Sequence, residues 1–299
     1  MSSPGLPGLL FALAAASLYG VNIVSTRFAA FEGVSGVTLV FYRVFLMLIL
    51  VLGAAALWRS SLRIAPGERR ITAVLGVATA VLGAAYLSSV AFIPVTVAVV
   101  IFYTYPMLIV LASPVVEGAR ITSTLLIVVA LAVLGVALVV GPAFNGLDWR
   151  GLALAATASV ATAVQFFAAT RCRRTTIMAK TFWIHIIVLP VSALIALAAG
   201  ALAPPELLLA APVAVAVTIG GYVLGFVFQF AALARSSAVV AGIAFCAEPV
   251  VAALLSAVVL GERLSPLQVL GGALVLAAIM TNVMAEQRRS RAPEPQAAS

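Results

Sequence analysis

A single glutamate stands in an otherwise apolar stretch of this sequence. Residues 242–251 run GIAFCAEPVV, so Glu248 is followed directly by Pro249. An ionised group inside an apolar span is costly unless it is paired or used. Proline removes a helix hydrogen bond and clashes with the carbonyl four residues earlier, here that of Phe245, which frees a backbone acceptor near the acid. Glu248 could therefore bind an ammonium group or carry a coupled proton. Alternatively, it is a structural carboxylate that pairs within the fold, for example with Arg43.

Two basic side chains also lie in apolar stretches, Arg43 in FYRVF (41–45) and His185 in WIH (183–185). The planar guanidinium of arginine suits a carboxylate ligand, and histidine titrates near neutral pH. Both are candidate ligand-binding residues. Alternatively, they extend toward the polar surface or brace the packing of helices.

The elements that must position these groups follow from composition. Of the 299 residues, 64% are hydrophobic and only 9% are charged, and the mean hydropathy is +1.23. These values predict an integral membrane protein. A helix of about 20 apolar residues crosses a ~30 Å hydrocarbon core, and lipid leaves the backbone no partner outside its own segment. The sequence thus predicts an all-α membrane protein with ten transmembrane helices, near residues 6–27, 34–57, 71–92, 96–116, 121–141, 150–170, 180–200, 208–233, 238–260 and 264–285.

The positive charge is distributed unevenly between the two ends of these spans. With the N-terminus inside, only Arg27, Arg150 and Arg263 fall outside. This asymmetry predicts a multi-pass protein of the cell inner membrane with both termini in the cytoplasm. Topology accounts for the net charge of +8, so nucleic acid is not expected as a partner. The basic residues on the inner side are Arg59, Arg63, Arg69, Arg70, Arg120, Arg171, Arg173, Arg174, Lys180, Arg235, Arg288, Arg289 and Arg291.

The chain contains an internal repeat. A shift of 143 residues aligns YPMLIVLASPVVEGARIT (105–122) with EPVVAALLSAVVLGERLS (248–265), so that Pro106 meets Pro249 and Arg120 meets Arg263. Each copy holds five helices, and an odd number inverts the second copy in the membrane. The sequence therefore predicts two inverted repeats, 6–141 and 150–285, followed by a disordered cytoplasmic tail, 286–299. Pro106 and Pro249 are the expected helix breaks.

Further polar and aromatic side chains share faces of the predicted helices. In the third span Thr79, Gly83 and Tyr86 fall on one face. The repeat pairs Asn22 with Gln165 and Tyr86 with Gln229. Such a mixture of polar and apolar groups is typical of a small-molecule cavity, although the polar groups could instead join helices, at under about 1 kcal/mol per hydrogen bond. The candidate substrate-binding residues are Glu248, Tyr105, Tyr103, Asn22, Gln165, Tyr86, Gln229, Tyr222, Phe245, Arg43 and His185.

The repeat also carries a resemblance. The segment AEPVVAALLSAVVLGERLSPLQVLGGALVLAA (247–278), with its proline-broken span and G-E-R-L turn, resembles the second half of an EamA domain of the drug/metabolite transporter superfamily. SLYGVNIVSTRFA (17–29) and FYRVF also fit, whereas the first half reads EGAR at the turn. The resemblance implies ten helices in inverted repeats, a central cavity and alternating access. It further implies export of amino acids and related metabolites, with the YddG-type exporters of aromatic and other amino acids as the nearest group.

Other functions were weighed against a secondary exporter. Glu248 and the tyrosines would suit an exporter of organic cations, whereas a sugar-phosphate exchanger would need more cationic groups than Arg43. GVSG (33–36) matches the pattern of intramembrane serine proteases, but Ser35 and His185 fall at different depths of the membrane. No channel-type ring of like charges, nucleotide-binding loop or metal-ligand cluster is present in the sequence. An enzyme and a bound cofactor are therefore not expected, and a monomer would already be a complete transport unit.

Overall fold

The computed structural model describes residues 6–141 and 147–291, with the backbone alone for 286–291. All regular secondary structure within these residues is helical. Ten spans in the described residues are long and apolar enough to cross a membrane, which confirms the predicted fold class. The helices are α1 (Leu6–Phe31), α2 (Gly36–Leu57), α3 (Arg69–Ser89), α4 (Val95–Phe102), α5 (Tyr105–Glu117), α6 (Ser123–Val140), α7 (Trp149–Arg171), α8 (Ile177–Ala198), α9 (Pro212–Leu233), α10 (Ala238–Phe245), α11 (Ala247–Val259) and α12 (Pro266–Arg291), with a 3-10 helix at Pro205–Ala210.

Two spans are each built from two helices. The fourth span consists of α4 and α5 and is interrupted at Tyr103 and Thr104, and the ninth consists of α10 and α11 and is interrupted at Cys246. Pro106 and Pro249 lie in the first turn of the second helix of each span, where a missing N–H leaves no helix bond unmade. Pro114 and Pro190 lie inside continuous helices. Proline alone therefore does not set the position of the breaks.

The contacts between helices follow the symmetry of the repeat. The most extensive packing joins α1 to α9 and α3 to α7. The 143-residue shift relates α1 to α7 and α3 to α9, so it exchanges these two contacts. The pairs α2 with α8 and α6 with α12 also pack closely, and each joins a helix to its own counterpart. This pattern is what a twofold axis in the membrane plane requires of two inverted halves.

The loops divide into two groups at opposite ends of the bundle. We call the end that carries loops 58–68, 118–122, 172–176 and 234–237 the basic end. Ten of the fourteen arginines and lysines whose side chains are described lie in or beside these loops. At the opposite end GVSG forms a turn at Gly33 and a helix cap, in which Ser35 Oγ accepts a hydrogen bond from Thr38 N at 3.1 Å. Ser35 Oγ also pairs with Thr38 Oγ1, which is a structural role.

The last helix is longer than expected. The backbone of α12 continues as a helix to Arg291, six residues into the segment predicted to be disordered. Helical hydrogen bonds of a transmembrane span can propagate past the apolar region, because each added residue completes one more bond. The rest of the predicted tail, 292–299, lies outside the described residues.

Glycine allows α6 and α12 to approach closely. A Cβ placed on Gly271 would lie 2.6 Å from Gly135 O and 2.7 Å from the backbone N of Val139. Small residues of this kind permit backbone contact between transmembrane helices, where packing is the main attractive force. On the next residue, Gly272, an added Cβ would meet only Val250 Cγ1 at 3.5 Å, an ordinary contact.

We therefore expect Gly271→Ala to destabilise the protein by about 1–3 kcal/mol, the usual cost of overpacking, since backbone atoms must move apart. Gly272→Ala is the matched control and should leave stability unchanged or slightly raised. The midpoints of thermal unfolding of the two purified variants test this. Equal midpoints would show that the close approach of α6 and α12 does not contribute to stability.

A buried carboxylate ties two loops together at the basic end. Glu68, 8% exposed, accepts hydrogen bonds from the backbone N of Arg174 at 2.8 Å and of Thr175 at 2.7 Å, from Thr175 Oγ1 and from Cys172 Sγ. Burial by itself raises the pKa of Glu68, but the hydrogen bonds to its charged form outweigh burial and lower the pKa from 4.5 to about 2. Nearby, Lys180 Nζ donates to Cys172 O at 2.6 Å. This hydrogen bond is a further contact to the same loop.

Replacement of Glu68 tests this connection. Glu68→Gln should lower the free energy of unfolding by about 1–3 kcal/mol near neutral pH, because hydrogen bonds to a charged acceptor are lost. The pKa of Glu68 is lower in the folded than in the unfolded chain, so its contribution is present above about pH 4.5 and is lost as the pH falls toward about 2. The stability difference between wild type and variant should therefore narrow on acidification. Glu32→Gln, at an exposed position, is the control. A difference that is independent of pH would contradict this account.

Candidate functional site

Glu248 lies at the centre of the bundle, in the first turn of α11 beside the break at Cys246. The backbone of α1 packs against this turn, since a Cβ on Gly20 would lie 3.0 Å from Glu248 O. The carboxylate is half-buried and accepts no hydrogen bond of standard geometry from a described residue. The Tyr103 hydroxyl lies next to the carboxylate and makes no hydrogen bond of standard geometry to a described residue. An acid at one helix break thus faces a phenol at the other.

Arg43 supplies the nearest positive charge. It is close enough to Glu248 for electrostatic attraction, yet the ion pairs of the described residues are Arg27 with Glu262 and Arg150 with Asp148. Both of those pairs lie at the end opposite the basic end. Arg43 and Glu248 therefore share the centre of the bundle without pairing. The described residues therefore do not contain the ion pair between Glu248 and Arg43 that is one of the alternatives from the sequence.

The guanidinium of Arg43 is held by its other contacts. Its Nη1 donates to Asn22 Oδ1 at 3.3 Å, and Asn22 Nδ2 donates to Thr218 O at 2.5 Å. The guanidinium carbon lies 4.5 Å from the centre of the Tyr222 ring, a cation–π arrangement. Its Nε is buried and has no partner among the described residues. The Nη1 atom of Arg43 is therefore hydrogen-bonded, whereas its Nε is not.

His185 contacts Tyr222, the residue on whose ring Arg43 lies. The residue is fully buried at 0% exposure, with Nδ1 2.7 Å from Thr181 O and Nε2 2.9 Å from Tyr222 Oη. A carbonyl only accepts, so Nδ1 carries the proton, and the neutral ring then accepts from the Tyr222 hydroxyl. His185 thereby fixes the ring on which Arg43 stacks. Both ring nitrogens of this predicted ligand-binding residue are therefore occupied.

A second network crosses the interface of the two repeats. Tyr19 Oη donates to Gln229 Oε1 at 2.8 Å, Gln229 Nε2 to Gln165 Oε1 at 3.2 Å, and Gln165 Nε2 to Thr79 Oγ1 at 2.9 Å. Thr79 Oγ1 in turn donates to Leu75 O at 2.7 Å. The chain of hydrogen bonds runs through α1, α9, α7 and α3, of which α1 and α3 belong to the first repeat and α9 and α7 to the second. These predicted polar residues do come together, and they bond to one another.

Aromatic rings connect the two helix breaks. Tyr105 lies 5.9 Å from Tyr103 and 5.4 Å from Phe166, measured between ring centroids, and Phe166 lies 5.5 Å from Phe245. Offset and edge contacts at such distances stabilise aromatic pairs. The predicted residues Tyr103, Tyr105 and Phe245 thus belong to one cluster. Tyr86 joins it through Phe102, with centroids 5.2 Å apart.

Sequence reasoning missed two members of this site. Tyr19 lies three residues before Asn22, which places both on one face of α1, and this spacing could have identified it. Phe166 follows Gln165 directly in a stretch with many apolar residues, and no sequence signal distinguishes it. Its position between Tyr105 and Phe245 results from the packing of α7 against both broken spans.

Comparisons with known proteins agree with the fold. A family model described as EamA-like transporter family matches residues 6–141 and, a second time, residues 149–284. One solved crystal structure, described only as that of a protein, has a TM-score of 0.74 and 21% sequence identity, over 94% of this chain and 98% of the other. At that identity the likeness concerns the fold alone. No curated protein matches the chain.

The contacts of Glu248 lead to a prediction about stability. Removing one partner of a buried ion pair costs about 3–5 kcal/mol, since the other charge is left uncompensated. Glu248 has no such partner among the described residues. We therefore expect Glu248→Gln to change the free energy of unfolding by less than about 1 kcal/mol. Thermal unfolding of the purified variant, measured beside Glu68→Gln, tests this, and a loss as large as that of a buried pair would make Glu248 structural.

Proposed function

The chain belongs to the EamA-like transporter family, and from this premise we propose that it exports amino acids, including neutral and aromatic ones, by alternating access. The family membership makes the protein a membrane transporter of the drug/metabolite superfamily and gives no sign of catalysis. The substrate class goes beyond the family. It is inferred from the charges at the centre of the bundle.

The observation that carries the proposal is the unpaired acid and base, Glu248 and Arg43. A free amino acid presents an ammonium and a carboxylate on neighbouring atoms, so it could satisfy both groups at once. The ammonium would lie at Glu248 and Tyr103, and the carboxylate at the unsatisfied edge of Arg43, whose planar donors match a carboxylate. A zwitterion also enters without adding net charge to a site surrounded by lipid, which limits the cost of its burial.

The surrounding side chains favour an apolar substrate side chain. The rings of Tyr105, Phe166 and Phe245 form a continuous surface beside Glu248. Gln165 and Gln229 bond to each other and to their neighbours, so their polar groups are already satisfied. A polar substrate side chain would therefore find few free partners on these walls, whereas an aromatic ring would gain stacking contacts.

An organic cation is the second candidate, because the same acid and rings would also attract an amine. Such a substrate leaves Arg43 unpaired and adds a second positive charge beside it. A sugar phosphate would use Arg43 alone, and a dianion would be repelled by Glu248. On this argument the zwitterion is the better match to the pair of charges.

Alternating access would require contacts at the two ends to break in turn. At the basic end, Glu68 bonds to the 172–175 loop and Arg171 Nη2 donates to Val116 O at 2.6 Å. At the opposite end, Thr38 Oγ1 donates to Ala201 O at 2.8 Å and Tyr42 Oη to Ala203 O at 2.6 Å. Each contact joins elements from different spans, as a gate requires. The excess of positive charge orients the basic end, with both termini, toward the cytoplasm of a cell inner membrane.

Counterflow in proteoliposomes tests the substrate class. Phenylalanine, phenethylamine and 3-phenylpropionate share one ring and differ in their charged groups, so they separate a zwitterion from a cation and an anion. We expect exchange of phenylalanine and much slower exchange of the other two. Glu248→Gln and Arg43→Gln should each slow phenylalanine exchange roughly 10- to 100-fold, as for the loss of a hydrogen bond to a charged group.

The control is Arg263→Gln, at an exposed residue of the opposite end, which should exchange phenylalanine like the wild type. Each variant must first elute as a monodisperse species and insert in liposomes. Exchange of phenethylamine that survives Arg43→Gln would assign the protein to organic cations. Unchanged phenylalanine exchange in Glu248→Gln would remove the acid from the binding site.

A further inference from the structure

A cavity lies away from the centre of the bundle, at the basic end. It has a volume of about 530 Å³ and is bounded by the first turns of α6 and α10 and the last turns of the final span on α12. Its volume is within the range of small-molecule sites, about 300–1,000 Å³. None of the central residues Glu248, Arg43 or Tyr103 lines it. The transport site therefore does not account for this cavity.

One buried side chain in this cavity lacks a partner. Asn282 lines the cavity and is 8% exposed, and its amide makes no hydrogen bond to any residue whose side chain is described. The polar atoms of this amide are not among the buried atoms without a partner, so they are open to the cavity. The amide can therefore bond to a polar group of a ligand there.

The rim of the cavity is suited to an anion. Thr122 and Ser237, the N-caps of α6 and α10, both line it, so the positive ends of two helix dipoles face the cavity. Arg120 also lines it and is exposed without an ion pair among the described residues. Glu117 lies in the same rim, and its Oε1 accepts hydrogen bonds from Thr170 Oγ1 at 3.3 Å and from Ala238 N, the first N–H of α10, at 3.5 Å. Glu117 therefore occupies the N-terminus of α10, whereas Arg120 and the N-terminus of α6 remain available to an anion.

The deeper part of the cavity is apolar and is accessible from the lipid. Leu125 and Val240 line it three residues after the N-caps Thr122 and Ser237, and Val128 lines it one turn further along α6. Met284 at its edge is 49% exposed, and Ile127 on the flank of α6 is 60% exposed. Asn282 lies near the end of the tenth span, Pro266–Ala285. Polar groups thus occupy the level of the membrane interface and apolar groups lie below them.

We infer that this cavity binds an anionic phospholipid of the leaflet at the basic end. The phosphate would lie between Arg120 and the N-terminus of α6, on the side away from Glu117. The amide of Asn282 would bond to a headgroup or ester oxygen, and the upper acyl chain would lie along Leu125, Val128 and Val240. The phosphate chemistry could also come from a soluble phosphate ester, but such a ligand would leave the apolar wall unfilled. A lipid satisfies both parts of the cavity.

Native mass spectrometry of the full-length chain in detergent tests this inference with phosphatidylglycerol, phosphatidylcholine and free glycerol phosphate as probes. We expect phosphatidylglycerol to bind, phosphatidylcholine to bind several-fold more weakly, and glycerol phosphate not to be retained. Arg120→Gln should weaken phosphatidylglycerol binding about five-fold, as for one basic residue at an anionic surface. Asn282→Leu should weaken it as well.

The internal repeat provides the control, since Arg263 corresponds to Arg120 at the opposite end. Arg263→Gln should retain phosphatidylglycerol like the wild type. Equal retention by Arg120→Gln and the wild type overturns the inference, as does equal binding of phosphatidylcholine. Binding of glycerol phosphate as tight as that of the lipid would assign the cavity to a soluble ester. Because Arg120 is exposed, its variant is expected to fold even if Asn282→Leu does not.

Discussion

A hydrocarbon interior offers no hydrogen-bond partner to a backbone amide or carbonyl, and every other feature of this protein depends on that constraint. It makes all ten described spans helical. It also restricts where a helix can be interrupted, because exposed backbone groups must then be satisfied by protein or enclosed with a polar ligand. Both interruptions, at Tyr103–Thr104 and at Cys246, lie in the interior of the bundle, where buried residues of both repeats surround them.

The interior separates polar groups that are satisfied from polar groups that are not. A continuous series of hydrogen bonds links Tyr19, Gln229, Gln165 and Thr79. Such networks stiffen a buried region when every member is bonded. The Tyr103 hydroxyl and Arg43 Nε have no hydrogen-bond partner among the described residues, and Glu248 is in neither of the ion pairs found there. In the proposed transport site the first group would form rigid walls and the second would receive the ligand. A binding site needs both, since unsatisfied groups attract a ligand only if the surrounding walls do not collapse onto them.

The helix contacts follow the internal repeat, whereas the charged residues do not. The two halves exchange their main helix contacts, and both have a broken span, yet the residue before the proline is Tyr105 in one half and Glu248 in the other. Arg43 and His185 are likewise counterparts in the repeat with different roles, one at the centre and one behind it. Architecture thus follows the repeat, whereas the charged chemistry departs from it. The same applies to Arg120, which borders a cavity, and its exposed counterpart Arg263.

Particular residues show which features could be predicted from the sequence and which could not. Hydropathy and the 143-residue repeat predicted the number of spans and their inversion, because apolar length acts locally along the chain. The paired prolines indicated the two broken spans, but proline alone did not locate the breaks, since Pro114 and Pro190 lie inside continuous helices. The contacts of His185 with Tyr222, the insertion of Phe166 between the breaks, the loop held by Glu68 and the unpartnered amide of Asn282 were not predictable in this way. Each depends on distances between helices that are far apart in sequence, such as the 37 residues from His185 to Tyr222. The sequence by itself determined which groups must avoid lipid, since that depends on the residue and its neighbours in the span. Only the tertiary structure decided which of those groups bond to one another and which have no partner, because that depends on how helices distant in sequence pack together.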